Sequence, residues 1–282
     1  MTKIAITADS TCDMPVELQD KYNIKIIPLH VTVGNKTYSD CIDIEARDLF
    51  SYYDRTQNLP KSSAPSPADY ISVFQKLTDE GYEILHFALS SKISSSYSNA
   101  LFVSKDFPNV HVIDTLNICG SSTLLAIEAA EMAAAGVEIE DIIREIEKDI
   151  LLASTSFVVD TMEYLYKGGR CSSLAVMINN VLDIKPCIEM KDGAFSVAKA
   201  YRKLPKKLIS QYIDDTLKKR KSASNQRIFI AETFYDDSLA EYAYSILKDK
   251  YGFEEIITNK AGCIISTHCG PNTIGLFFID KD

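Results

Sequence analysis

The chain has 282 residues, of which 46% are hydrophobic and 24% charged, and a net charge of −9 at pH 7. That is enough for one large domain or two ordinary ones around a sizeable core, and the acidic balance argues against a protein that grips nucleic acid through its phosphates. No apolar run nears the ~20 residues of a membrane helix, and the seven cysteines form no C-x-x-C pair, which reads as reduced, mostly buried thiols in a cytoplasmic protein.

"MTKIAITADST" runs directly into a strand pattern, with no signal-peptide pattern. "KIAITAD" predicts a first strand. "DMPVELQDKY" predicts a helix with Asp13 as N-cap and Pro15 in its first turn. "HVTV", Gly34-Asn35 and "KTYSD" predict a small hairpin, an insertion over about residues 28–60. Ser66 followed by Pro67 opens a helix whose apolar residues Tyr70, Ile71, Phe74 and Leu77 keep helical spacing. "EILHFALSS", "SYSNALFVSKDF", "NVHVID", the Ala/Leu-rich run closed by Gly136, and "EIEDIIREIEKDILLA" continue as strand, helix, strand, helix, helix. Strands apolar on both faces that lead into helices predict a parallel sheet. The polar turns "DSTCD", "SSKISSS" and "DTLNICGSS" should then line one edge, where such sheets bind ligands.

After residue 153 the rhythm changes. "STSFVVDT" reads as a strand. "MEYLYKGGRCSSLAVMINNVL" reads as two helices broken at Gly168-Gly169, and Asp192-Gly193 marks a hairpin. "KKLISQYIDDTLKKRK", "RIFIAET", "SLAEYAYSILKDKYG", "EEIITN", "CIISTHCG" and "TIGLFFID" complete an α+β pattern, with a strand broken by Cys269-Gly270-Pro271. The division is an N-terminal α/β domain over 1–153 and a C-terminal α+β domain, mainly antiparallel or mixed, over 154–282. No linker separates them, so a shared cleft is the expected ligand site.

Nucleophile-elbow, P-loop, zincin and dinucleotide-binding motifs are absent. His30, His86 and His111 read as sheet or core histidines, whereas His268 lies on a turn. The serine-dense "SSKISSSYSNA" opens a helix after a buried strand, where free N–H groups and a positive dipole make an anion site. A simple helix cap accounts for the same serines. "KSSAPSP" brings Ser62 and Ser63 before another helix, and "KGGR" holds Arg170 after two glycines, as an arginine aimed at a carboxylate or phosphate or as a surface residue. The basic stretch from Arg202 to Lys221 reads as a solvated helix, with a docking face for an acidic partner as the second reading.

Taken in order, "ADSTCD", "KSSAPSP", "SSKISSSYSNA", Asp114-Thr115, "YLYKGGR", "DIKPCIEMKDG" and "HCGPNTIG" resemble the DegV family of bacterial fatty-acid-binding proteins over essentially the whole chain. The resemblance implies a lipid tunnel between the two domains and a long-chain fatty acid presented to a separate kinase, with no cofactor, metal or catalysis in this subunit. It implies that Ser62 and Ser94, with Ser63 and Ser95 beside them, hold the carboxylate. His268 would support them, and Arg170 would serve the kinase encounter or the phosphate. Three positions depart from the family pattern: Ser62 stands for Thr, Ser95 for Gly in S-G-T, and Asn272 for the second Gly of G-P-G. Two rival readings are an acyl hydrolase using Ser94 and His268, and a module for another small carboxylate or phosphate.

Overall fold

The computed structural model describes residues 3–170, 184–202, 205–221, 226–234 and 237–281. Its first part runs β1 (Lys3–Asp9), α1 (Val16–Tyr22), β2 (Lys25–Ile27), β3 (His30–Val33), β4 (Lys36–Ser39), α2 (Ala46–Thr56), β5 (Lys61–Ser63), α3 (Pro67–Asp79), β6 (Tyr82–Ala88), α4 (Ser96–Ser104), β7 (Val110–Asp114), α5 (Gly120–Ala134) and α6 (Ile139–Leu152). The second part runs β8 (Ala153–Val158), α7 (Glu163–Lys167), β9 (Lys185–Lys191), β10 (Ala194–Tyr201), α8 (Pro205–Leu217), β11 (Arg227–Glu232), α9 (Ser238–Asp249), β12 (Glu255–Lys260), α10 (Cys263–Cys269) and β13 (Ile274–Ile279).

Strands β2-β1-β6-β7 form a wholly parallel sheet. A second sheet, β10-β9-β8-β13-β11-β12, is antiparallel except for the β11–β12 pair. The expected α/β and α+β halves are therefore both present. Helix α5 joins them: Ser121 to Ile127 are all buried, and Leu125, Ala126 and Ala129 share one core cluster with Ile6 and Phe87 of the parallel sheet and Phe229 and Phe277 of the mixed sheet. A helix apolar on all sides needs neighbours on all sides, and the two sheets supply them. At its start a Cβ on Gly120 would lie 2.6 Å from the Phe229 ring, so only glycine lets the mixed sheet approach this closely.

The three carboxyl-end turns meet as predicted. Leu89 N–H donates to Asp9 Oδ2 at 2.8 Å, Cys119 N–H to Thr11 O at 2.8 Å, and Ser90 N–H to Asn117 O at 3.2 Å. The β9–β10 hairpin turns on Asp192 (φ 51°) and Gly193 (φ 80°), both left-handed as a two-residue turn requires. Its tip reaches across to the serine turn, where Ser90 Oγ donates to Gly193 O at 2.7 Å.

Four local expectations fail. Asp13 is not a helix cap: it is buried at φ 54°, ends a short 3-10 turn, and Pro15 precedes α1. The segment 28–60 is more than a hairpin, because α2 follows β4. Its mean polarity hides an apolar face at Leu49, Phe50 and Tyr53. Residues 61–63, expected only as a stretch before a helix, form β5 and pair with β3 to make a three-stranded sheet, β4-β3-β5. "CIISTHC" is the helix α10, not a strand, since a short buried apolar run carries no distinguishing period. The second helix expected after Gly169 falls outside the described residues. Cys41 departs from the buried-thiol expectation by being exposed, while the other described cysteines are buried and all are free.

The sheet histidines find partners: His86 Nδ1 with Thr7 Oγ1 at 2.9 Å, His30 with Asp69 at 3.0 Å and His111 with Glu83 at 3.0 Å. The basic stretch is a surface helix whose neighbouring lysines pair with acids, as Lys199 does with Asp215 at 2.5 Å.

Two buried carboxyls fasten α10 to the N-terminal half. Asp40 Oδ1 accepts the N–H groups of Cys263 (2.8 Å) and Ile264 (3.3 Å), and Asp40 Oδ2 accepts Ser10 Oγ at 2.6 Å. Asp13 Oδ1 accepts Gly262 N–H at 3.0 Å, and Asp13 Oδ2 accepts the Cys119 thiol at 3.1 Å. Burial, then the neighbouring Asp40 charge, pushes the Asp13 carboxyl up to about 8. Burial pushes the Asp40 carboxyl up as well, against the pull of its richer set of donors from Ser10, Cys41, Ile264 and Cys263; Asp13 keeps the proton. The fold thus binds a proton at Asp13 that the unfolded chain releases near pH 4. Stability from this site falls as pH rises from about 4 to 8. Asp13→Asn preserves the acceptor for Gly262 and removes the titration. Its melting temperature should decline less than the wild type's between pH 5 and 8; parallel curves in a thermal-denaturation series would contradict the assignment.

Candidate functional site

Helix α10 lies across the small sheet. Its N-terminus sits on Asp40, just past the end of β4, and Ile264 packs against Leu29 and Val31. At its other end His268 meets β5: Ser62 Oγ and His268 Nε2 are 2.7 Å apart. The two residues are 206 positions apart in sequence. The small sheet and α10 therefore build this pair together.

His268 is half-buried, with its Nδ1 shut off from solvent. Burial, then the positive charge of Arg170, pulls its pKa down from 6.5 to about 3, so the ring is neutral near pH 7. Among the described residues Nδ1 has no hydrogen-bond partner, so the ring's polar contact there is that of Nε2 with Ser62 Oγ. The ring is seated on glycine: a Cβ at Gly168 would stand 2.3 Å from Nδ1. Arg170, two residues on, is exposed and donates from Nη1 to Gly168 O at 2.8 Å. The "KGGR" turn thus supplies both the seat for His268 and a nearby cation.

These groups line one cavity of about 40 Å³, bounded by Ser62, Ser63, Ser94, Arg170, His268 and apolar walls that include Ile93 and Ile264. A water needs ~10–15 Å³, so the space suits a group the size of a carboxylate. Ser63 follows Ser62 on β5, is exposed, and borders the same cavity. Ser94 is part cap, part wall: its Oγ accepts Ser96 N–H at 3.1 Å and pairs with Ser96 Oγ at 3.0 Å. Ser95 lies outside this lining, exposed, at φ −84°. That backbone is one any residue adopts, so glycine is not required there. Asn272 takes φ 60° beside Gly270 at 74°, so the turn after α10 keeps left-handed geometry with asparagine in place of glycine. Ser94 and His268 share the cavity, but the histidine's hydrogen bond goes to Ser62.

Behind this polar end lies a second cavity of about 30 Å³ with walls from Phe157, Phe195, Phe277 and Ala231. The two spaces share Ile118, Phe195, Ile265 and Cys269. Sequence reasoning missed these wall residues. One signal was available: Ile264, Ile265, His268 and Cys269 repeat at helical spacing. Ile118 gave none, since it is carried by a loop whose Leu116 (φ 47°) and Cys119 (φ 55°) adopt backbone that non-glycine residues rarely take. A larger cleft of about 530 Å³ lies between α5 and the mixed sheet. Its charges are spent on one another, Arg227 on Glu131 and Glu255 and Lys281 on Glu128, which leaves it no comparable polar end. Among the described residues, no His/Cys/Asp/Glu group could hold a metal ion, and no helix is long and apolar enough to cross a membrane.

The profile described as "uncharacterised protein, DegV family" matches residues 3–281. The chain belongs to the DegV family. A fatty acid-binding protein of Thermotoga maritima is 32% identical to it over 97% of this chain and 96% of the other. A DegV family protein from Thermus thermophilus, described for its fatty acid binding, superposes with a TM-score of 0.89 at 26% identity, covering 98% of this chain and 99% of that one. A stearic acid-binding protein from Eubacterium ventriosum superposes with a TM-score of 0.85 at 26% identity, covering 98% and 97% of the two chains.

Within this DegV chain the position of His268 depends on Gly168. In Gly168→Ala the ring must leave its seat, and its pKa should move from about 3 back toward 6.5. Gly169 has open space around its Cβ position but a φ of 72°, so Gly169→Ala should cost stability through backbone strain while placing no atom against the ring, and the titration should move less than in Gly168→Ala. NMR titration of the imidazole signals checks both; equal behaviour of the two variants would refute the seating.

Proposed function

We propose that this chain is a carrier that holds a long-chain fatty acid between its two halves and presents the carboxylate to a separate kinase. We place the division between the halves between residues 153 and 154, at the start of β8. The observation that carries the reading is a small polar cavity that adjoins an apolar one across the shared walls Ile118, Phe195, Ile265 and Cys269. A head-and-tail amphiphile is the ligand class that such a pair of spaces fits, and the fatty-acid-binding relatives point the same way.

The energetics divide the labour. Burying a 16-carbon tail is worth about 12 kcal/mol at ~0.8 kcal/mol per methylene, before the costs of association. A hydrogen bond to a charged group adds roughly 1.5–3 kcal/mol. Affinity comes from the tail, and orientation from Ser62 and Ser94, with Ser63 adjacent and His268 behind Ser62. The inner spaces are narrow, so a tail binds only as wall side chains such as Phe195 and Ile118 move apart. Arg170, exposed at the polar end, would meet the phosphate donor's charge.

A hydrolytic reading of the Ser62–His268 pair is disfavoured by the same geometry. A histidine with a pKa of about 3 is a weak base. No carboxylate among the described residues orients its Nδ1, as a catalytic triad requires.

Protein purified without added lipid should release about one fatty acid per chain on solvent extraction and mass spectrometry. Affinity should climb with acyl length, and Ser62→Ala should lower it about tenfold, the value of ~1.4 kcal/mol. A short or non-lipid ligand, or ester turnover that Ser62→Ala abolishes, would overturn the reading.

A further inference from the structure

We infer that the apolar passage is open at its far end as well, and that the methyl end of a very long acyl chain leaves the core there. This inference rests on the fatty-acid reading above. The far opening is a cleft of about 490 Å³ between α2 and the ends of β11 and β12. Its apolar walls are Ile44, Ala46, Phe50, Phe234 and Ala261. It shares Glu232, Thr233 and Ala261 with the inner apolar cavity, just as that cavity shares four walls with the polar end. Three spaces thus adjoin in series, from His268 at one mouth to α2 at the other.

The polar groups at the second junction are already satisfied. The Glu232 carboxylate takes Lys260 Nζ at 2.8 Å and the N–H of Phe234. Thr233 Oγ1 donates to Gly270 O at 2.8 Å and accepts Thr273 N–H at 2.9 Å. The rim charges pair as well, Arg47 with Glu45 at 2.8 Å and Lys260 with Asp237 at 2.8 Å. Among the described residues, the charged groups there are engaged with one another and do not compete with the Ser62–His268 end for a carboxylate. A hydrocarbon end, by contrast, meets apolar wall and loses no hydrogen bond. The ligand class that follows is acyl chains longer than the inner passage holds, including those with a bulky group on the terminal carbon.

The test uses a medium-chain and a very-long-chain fatty acid, each with a photoreactive diazirine at its terminal carbon. Each is bound to the full chain, irradiated, and the attachment site mapped by peptide mass spectrometry. The medium-chain probe should label the inner walls, Phe157, Phe195 or Phe277. The very-long-chain probe should label Ile44, Ala46, Phe50 or Phe234. If both bind and both label only inner walls, the far end is closed and the inference falls, while the fatty-acid reading stands. If neither binds, both fall. A second arm narrows the cleft with Ala46→Trp, at the half-buried first position of α2. It should weaken the very-long-chain acid about tenfold and leave the medium-chain acid within about twofold. Equal affinities for both acids in variant and wild type would likewise overturn the inference.

Discussion

The contact on which the site depends is the carboxyl group of Asp40 at the N-terminus of α10. It answers two N–H groups that a helix start leaves unpaired, and it sets carboxyl oxygens at the positive end of the helix dipole. It does so from the edge of a small sheet whose opposite edge strand carries Ser62. Seven helical residues span roughly 10 Å at 1.5 Å each. Two strand spacings at ~4.8 Å come to much the same distance. The helix therefore fits between the two edges, with Asp40 at one end and His268 at the other.

Around that strut the chemistry is built from neutral donors. His268 is half-buried beside a cation, and burial and like charge act in the same direction to keep it uncharged. Ser62 and Ser94 bring hydroxyls without charge. Under the proposed reading, such a clamp would orient an anion by hydrogen bonds and leave the strong electrostatics to Arg170 at the surface. Holding an anion with permanently buried charge would add a large desolvation cost to every unliganded molecule. The carboxyl cluster at Asp13 and Asp40 shows how the fold manages that cost where it must bury acids: one keeps the proton, and the other takes most of the donors.

Much of this was legible in the sequence, for identifiable reasons. The parallel strands announce themselves by continuous apolar runs, α3 by the Ser66-Pro67 start, and the β9–β10 hairpin by Asp192-Gly193, because each is set by neighbours in the chain. Ser62, Ser94, Arg170 and His268 could be singled out for their residue types, and the structure brings them to one cavity. What was not legible is set by distant partners. α10 looks like a strand because its β-branched isoleucines are buried on both sides. Asp13 looks like a cap because its real partners, Gly262 and Cys119, are 249 and 106 positions away. α2 was passed over because its apolar face is narrow, and Ile118 because loops carry no period.

The close fit of α10 has a consequence for how this region can vary. Each residue added to a helix turns everything beyond it by about 100° and advances it ~1.5 Å. A single insertion between Cys263 and His268 would carry the imidazole away from both Gly168 and Ser62, with Asp40 still holding the other end. Lengthening is tolerable in the surface loops of this chain, but α10 can change only by substitution at constant length. Family members that share this pair should therefore differ in the identity of the residues between the two anchors and agree in their number.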